Sequence, residues 1–225
     1  MYGLNLPWLL LIVASLVLGF GTQAYIKSRY KKWSKVPNML GLTGAQAARR
    51  MLDTNGLSSV AVNVVSGDLT DHYDPKTNSV SLSEQVYNSR SVSALAIACH
   101  ECGHAVQHAR NYVPAAARGA LVPPINVASS LWIFILLAGV FLNILGLVWL
   151  AIILYAVTIV FQLVTLPVEF NASSRAIAYI ESFGIVQQDE AKGARSVLTA
   201  AALTYVAAAL ISLLQLVYLL GFARR

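Results

Sequence analysis

His100, Glu101, Cys102, Gly103 and His104 set two histidines four residues apart, with a glutamate directly after the first. On an α-helix, at about 100° per residue, His104 lies roughly 40° around from His100 and one turn along. Both imidazoles can then reach one metal ion. Glu101 can flank that ion and take a proton from its water. This is the H-E-x-x-H pattern of zinc hydrolysis. Two histidines four apart are often just a solvated pair, but here the same helix has a clean apolar face opposite them. A catalytic zinc keeps three protein ligands and one open position. For the third ligand the chain offers His72, His108 and a few carboxylates. His108 shares the face but lies roughly 12 Å along the axis from His100, so it is expected to line a cleft or meet solvent. Glu169 stands out because it directly follows an apolar run ending in Leu166, Pro167 and Val168. It opens a stretch in which Phe170, Ser173, Ile177 and Ile180 recur with helical spacing. A ligand role for Glu169 is preferred over a charge that merely ends a membrane span.

The elements around the motif follow from pattern. Val92, Leu95, Cys99, Cys102, Val106 and Ala109 recur every three or four residues, which predicts a helix from about Ser91 to Ala109. Cys99 and Cys102 fall in its apolar stripe, away from the histidines, and read as small buried hydrophobes rather than a redox pair. Thr43 and Gln46 form a capping box ahead of Ala47, Ala48, Met51 and Leu52, and Gly56 closes that helix. Val60–Val65 and Ser79–Ser83 read as strands, with Asp68–Asn78 as the polar connection.

The chain has 225 residues, 57% hydrophobic and 12% charged, with mean hydropathy +0.63. Soluble domains carry roughly 25% charged residues, so a soluble globular protein and a disordered one are both excluded. Gly119–Val168 holds no charge at all. It is long enough for two crossings of about 20 residues each, joined by a turn near Asn143 and Gly146. The chain therefore divides into a transmembrane helix at 4–26, a polar segment at 27–118, two transmembrane helices in 119–168, a polar segment at 169–195 and a transmembrane helix at 196–222. The expected fold is mainly α, with four transmembrane helices and a small α+β zincin-like domain carrying the motif helix. Lys27, Arg29, Lys31, Lys32 and Lys35 crowd the exit of the first span, which predicts both polar segments on the cytoplasmic side. Arg224 and Arg225 then fall outside, against that rule. The excess of 16 basic over 10 acidic residues reflects this juxtamembrane cluster, so anionic headgroups are the expected partner and nucleic acid is not.

Four segments in order, Leu42–Arg49, Asp71–Pro75, His100–Gln107 and Pro167–Ser173, make the chain resemble the YugP-like membrane zinc metallopeptidases over most of its length. That resemblance implies a gluzincin-like peptidase of a bacterial cytoplasmic membrane, multi-pass, acting on proteins or peptides with one Zn2+ per chain. It implies His100, His104 and Glu169 as zinc ligands and Glu101 as general base. An oxyanion stabiliser is also needed, and His72, Tyr73 and Arg175 are the candidates. In broader relatives of the HtpX and CAAX-protease type, an aspartate four residues after the ligand glutamate orients a zinc histidine. Ser173 stands at that position here. Ser79–Ser83 precedes the motif helix as an edge strand does in many metallopeptidases, so an extended substrate is expected to add to it.

The function expected is therefore a membrane-anchored zinc endopeptidase, and self-association is compatible with it. The alternative is a non-catalytic membrane scaffold or chaperone-like protein with a structural or vestigial zinc site. An intramembrane protease would need the motif inside a span, yet Ser91–Cys99 is short and flanked by Arg90 and Glu101. A transporter would need ionisable groups within spans, and Gly119–Val168 has none.

Overall fold

A computed structural model describes residues 6–182 and 188–223. The basic pair Arg224 and Arg225, and Leu4 where the first span was expected to begin, lie outside the described residues. The element order is α1 (Leu6–Trp33), α2 (Gly44–Thr54), β1 (Ala61–Val65), β2 (His72–Asp74), β3 (Ser79–Ser83), α3 (Glu84–Asn88), α4 (Val92–Ala109), α5 (Val113–Phe141), α6 (Leu145–Ser182) and α7 (Gln188–Ala223). The fold is mainly helical with a small α+β part, as expected, and the described residues form one three-stranded mixed sheet. The helices α1, α5, α6 and α7 each have 28 or more residues. Each contains an 18-residue stretch of mean hydropathy 1.9 to 2.5, enough by length and composition to cross a membrane.

The chain forms two compact units. One comprises Met1–Gln23, Ala116–Leu166 and Thr204–Arg225. In it, the turn between α5 and α6 places Asn143 in the left-handed region, at φ 57°, a conformation asparagine tolerates. Gly146 is already inside α6. Tyr155 donates its hydroxyl to Gln215 and packs on Trp132, a polar link of the kind that joins helices in apolar surroundings.

The other unit comprises Ala24–Ala115 and Pro167–Leu203, and it holds the H-E-x-x-H motif. Thr43 caps α2 through the expected box: its hydroxyl accepts from Gln46 N, and the Gln46 side chain accepts from Thr43 N. Gly56, at φ 74°, follows the helix end. Ser91 caps α4 by accepting from Ala94 N. Asn38 anchors the approach to that cap, donating to the carbonyls of Leu42 and Arg90. The apolar stripe of α4 (Val92, Leu95, Cys99, Cys102) is fully buried with Met51 and Leu52 of α2, Val80 and Leu82 of β3 and Ile180 of α6. Each of the valines, leucines, Met51 and Ile180 in this set contributes about 1.5–3 kcal/mol of burial free energy. Cys99 and Cys102 are free and buried as expected. Burial pushes the Cys99 thiol up to about 12 and Cys102 well above the usual thiol range, so both are inert packing groups.

The sheet corrects one expectation. Ser79–Ser83 is the central strand rather than an edge: the order is β1-β3-β2, with β1 parallel and β2 antiparallel to β3. Val80 and Leu82 have no exposed surface. Neither backbone edge of β3 is open to an added strand. The missing partner was β2, inside the stretch expected to be a polar connection. His72, Tyr73 and Asp74 have no apolar alternation, and only pairing with Ser81, Val80 and Ser79 makes them a strand. A turn follows at once, with Asp74 accepting from Lys76 N and from the Thr77 hydroxyl. Asp71 ties β2 to the end of β3 by accepting from Ser83 N at 2.7 Å and from the Ser83 hydroxyl.

Candidate metal centre

Two helices bring three donor atoms together. α4 supplies the imidazoles of His100 and His104, one turn apart, with ring centroids 4.8 Å apart and planes nearly perpendicular. α6 supplies Glu169, whose Oε2 lies 3.3 Å from His100 Nε2 and 3.6 Å from His104 Nε2. All three side chains are largely shielded, with 13%, 14% and 4% of their surface exposed. All three donor atoms fall within 4.8 Å of one another. Ligands held at about 2.1 Å around a tetrahedral ion sit roughly 3.4 Å apart. The Glu169–histidine separations match that spacing, and two imidazoles with one carboxylate is a donor set that suits zinc. The group can hold a metal ion.

Gly103 permits this approach. A Cβ at that position would lie 2.7 Å from the carbonyl oxygen of Ala172 and 3.1 Å from its Cα. Only glycine lets α4 sit so close to the α6 backbone, one turn from Glu169. Glu101 is buried at 9% exposure. Burial alone would depress the affinity of His104 for a proton. The adjacent Glu169 carboxylate, together with the charge of Glu101, outweighs it and raises the imidazole above its ordinary value.

The other ring nitrogens are also held. Ser173 Oγ, four residues after Glu169, lies 3.2 Å from His100 Nδ1 and holds that ring from its far side. His104 Nδ1 meets Gln107 Oε1 at 3.0 Å. Gln107 is fully buried and donates to Val168 O and Asn171 Oδ1. Sequence reading missed Gln107. The sequence carries no signal for it, because the acceptors that define this amide, Val168 O and Asn171 Oδ1, lie on another helix.

The three groups considered as oxyanion stabilisers bond elsewhere. His72 is exposed on β2, and its Nδ1 donates to Thr70 O at 2.7 Å. Tyr73 shares its hydroxyl between His108 Nδ1 at 3.1 Å and Asn78 Oδ1 at 3.3 Å. Arg175 donates from Nε to Asn171 Oδ1 at 2.7 Å. His108 is exposed and outside the three-donor group.

Comparison with known proteins agrees with this chemistry. Residues 8–224 match a family model described as "Putative neutral zinc metallopeptidase". Among curated proteins the chain is similar to the "Putative membrane protease YugP" of Bacillus subtilis (strain 168), with 50% identity over 209 residues and 93% of each chain covered. No solved structure matches the chain. With nearly its whole length matched, the chain belongs to the family described as "Putative neutral zinc metallopeptidase".

Proposed function

We propose that the protein is a membrane-anchored zinc endopeptidase, in which His100, His104 and Glu169 hold the ion and Glu101 is the general base. The observation that carries this reading is the convergence of two Nε2 atoms and one carboxylate oxygen from separate helices at metal-ligand spacing. Zinc held there would supply a Lewis acid that acidifies water and polarises a carbonyl. Glu101 would accept the proton of the attacking water and hand it to the leaving amine. The edge strand β2 offers an extended substrate a pairing edge that β3 does not. Tyr73, on that strand and in contact with His108, is then better sited than Arg175 to face substrate. His72 shares the strand. The basic cluster Lys27 to Lys35 supports a site on the cytoplasmic face of a bacterial inner membrane.

The test is zinc per chain after gentle purification, followed by hydrolysis of unfolded casein in mild detergent. Wild type and His108→Ala should hold about one zinc, and Glu169→Ala should lose it. Glu101→Gln should keep zinc while hydrolysis falls by about 10²–10⁴-fold. Metal-free wild type, or zinc loss in His108→Ala alone, would overturn the ligand set. Full zinc without hydrolysis, unchanged by Glu101→Gln, would favour the scaffold.

A further inference from the structure

We propose that Gln107 fixes the direction in which His104 presents its metal-binding nitrogen, through hydrogen bonds that can run only one way. The assignment rests on the zinc-site reading above. Gln107 has no exposed surface, and its amide meets three groups: Val168 O at 2.7 Å, Asn171 Oδ1 at 3.0 Å and His104 Nδ1 at 3.0 Å. A backbone carbonyl can only accept, so the end of the amide facing Val168 is the NH2. Asn171 is oriented independently. The Arg175 guanidinium, which can only donate, lies 2.7 Å from Asn171 Oδ1, so an oxygen is what Gln107 meets there too. Two one-way partners thus set an amide whose flip would otherwise be ambiguous.

Gln107 Oε1 must therefore face His104, where it can only accept. The hydrogen of the neutral ring is held on Nδ1, and the lone pair is left on Nε2, the atom 3.6 Å from Glu169 Oε2. The reverse arrangement would press the amide oxygen against two acceptors in a fully buried place. Ser173 cannot impose this on His100, because a hydroxyl donates or accepts as required. Gln107 also couples the two ligand helices. Val168 and Asn171 flank Glu169 on α6, so one side chain ties the ring of a ligand on α4 to the backbone beside the third ligand. Gln107 is a positioning residue acting through His104.

The experiment compares wild type, Gln107→Leu and Gln107→Glu by zinc affinity (chelator competition), by melting of the zinc-free protein and by the exchangeable ring N–H signals of the cobalt(II)-loaded form. Gln107→Leu should bind zinc about 10–100-fold more weakly, as for loss of other groups that orient metal ligands. Its His104 ring hydrogen should also exchange faster with solvent. Gln107→Glu keeps an acceptor for His104 but turns an oxygen toward Val168 and Asn171. It should melt lower yet hold zinc within a few-fold of wild type. A packing role alone predicts lower melting in both variants with zinc affinity unchanged, and that result would overturn the proposal. Equal zinc losses in Leu and Glu would overturn it too, because an acceptor at Nδ1 would then make no difference. If Gln107→Leu does not fold, Gln107→Met makes the same comparison. Wild type that takes up no zinc overturns the metal site itself and this assignment with it, which distinguishes the two failures.

Discussion

Gly103→Ala tests the geometry of the site without touching a donor atom. The added methyl would lie 2.7 Å from Ala172 O, where ordinary contact begins at 3.4 Å, and the other close atoms are Ala172 Cα and C. All three belong to the backbone, so no rotamer can relieve the clash. The two helices must separate by about 0.7 Å. Glu169 lies one turn before Ala172 on α6 and would move with it. A metal ligand tolerates roughly 0.2 Å, so the displacement exceeds what the carboxylate–imidazole spacing can absorb. Two effects oppose each other in the fold itself. Alanine is favoured over glycine in a helix by about 1 kcal/mol, whereas overpacking costs about 1–3 kcal/mol. The zinc-free variant should therefore melt only slightly below wild type. Zinc affinity, read by competition with a fluorescent chelator in mild detergent, should fall on the order of 10–100-fold, the loss typical when a ligand's support is disturbed and equal to about 1.4–2.8 kcal/mol. Zinc binding within twofold of wild type, in a variant that is folded, would refute the argument that close approach of α4 and α6 assembles the site.

The raised proton affinity of His104 has opposite consequences with and without metal. In the zinc-free protein its charged pairing with Glu169 stabilises the fold below the ordinary value of 6.5, and that contribution fades as pH rises through the elevated folded value. Zinc needs the neutral ring, so its affinity should drop as pH falls through the same range. Melting scans from pH 5 to 9 should show stability of the zinc-free form declining with pH where that of the loaded form rises, and parallel curves would contradict this. Asp71→Ala strips a partner from Ser83 N, in a residue 1% exposed. Denaturant unfolding should report about 1–3 kcal/mol of lost stability, and a loss below half a kcal/mol would mean that water replaces the carboxylate. For orientation, a cysteine placed at exposed Ser66 should resist a membrane-impermeant thiol reagent in intact cells and react after lysis. Labelling of intact cells would place the site on the outer face.

The sequence alone determined what depends on local pattern and residue chemistry. Uncharged runs of 20 or more residues have no stable place except a bilayer, so the four long apolar helices were legible. So were the capping box at Thr43, the buried stripe of α4 with its inert cysteines, and the pairing of His100 with His104, because a 3.6-residue helix sets those relations within one turn. Tertiary structure decided what depends on partners distant in the chain. His72–Asp74 has no strand pattern of its own and becomes one only beside β3. That pairing makes β3 central and removes the edge a substrate was expected to use. The third donor was suggested by position along the chain, but its spacing from the histidines is set by the contact of Gly103 with Ala172, across nearly 70 residues. Gln107 was invisible for the same reason. A buried amide is defined by the acceptors around it, and here those are a backbone carbonyl and a side chain of another helix.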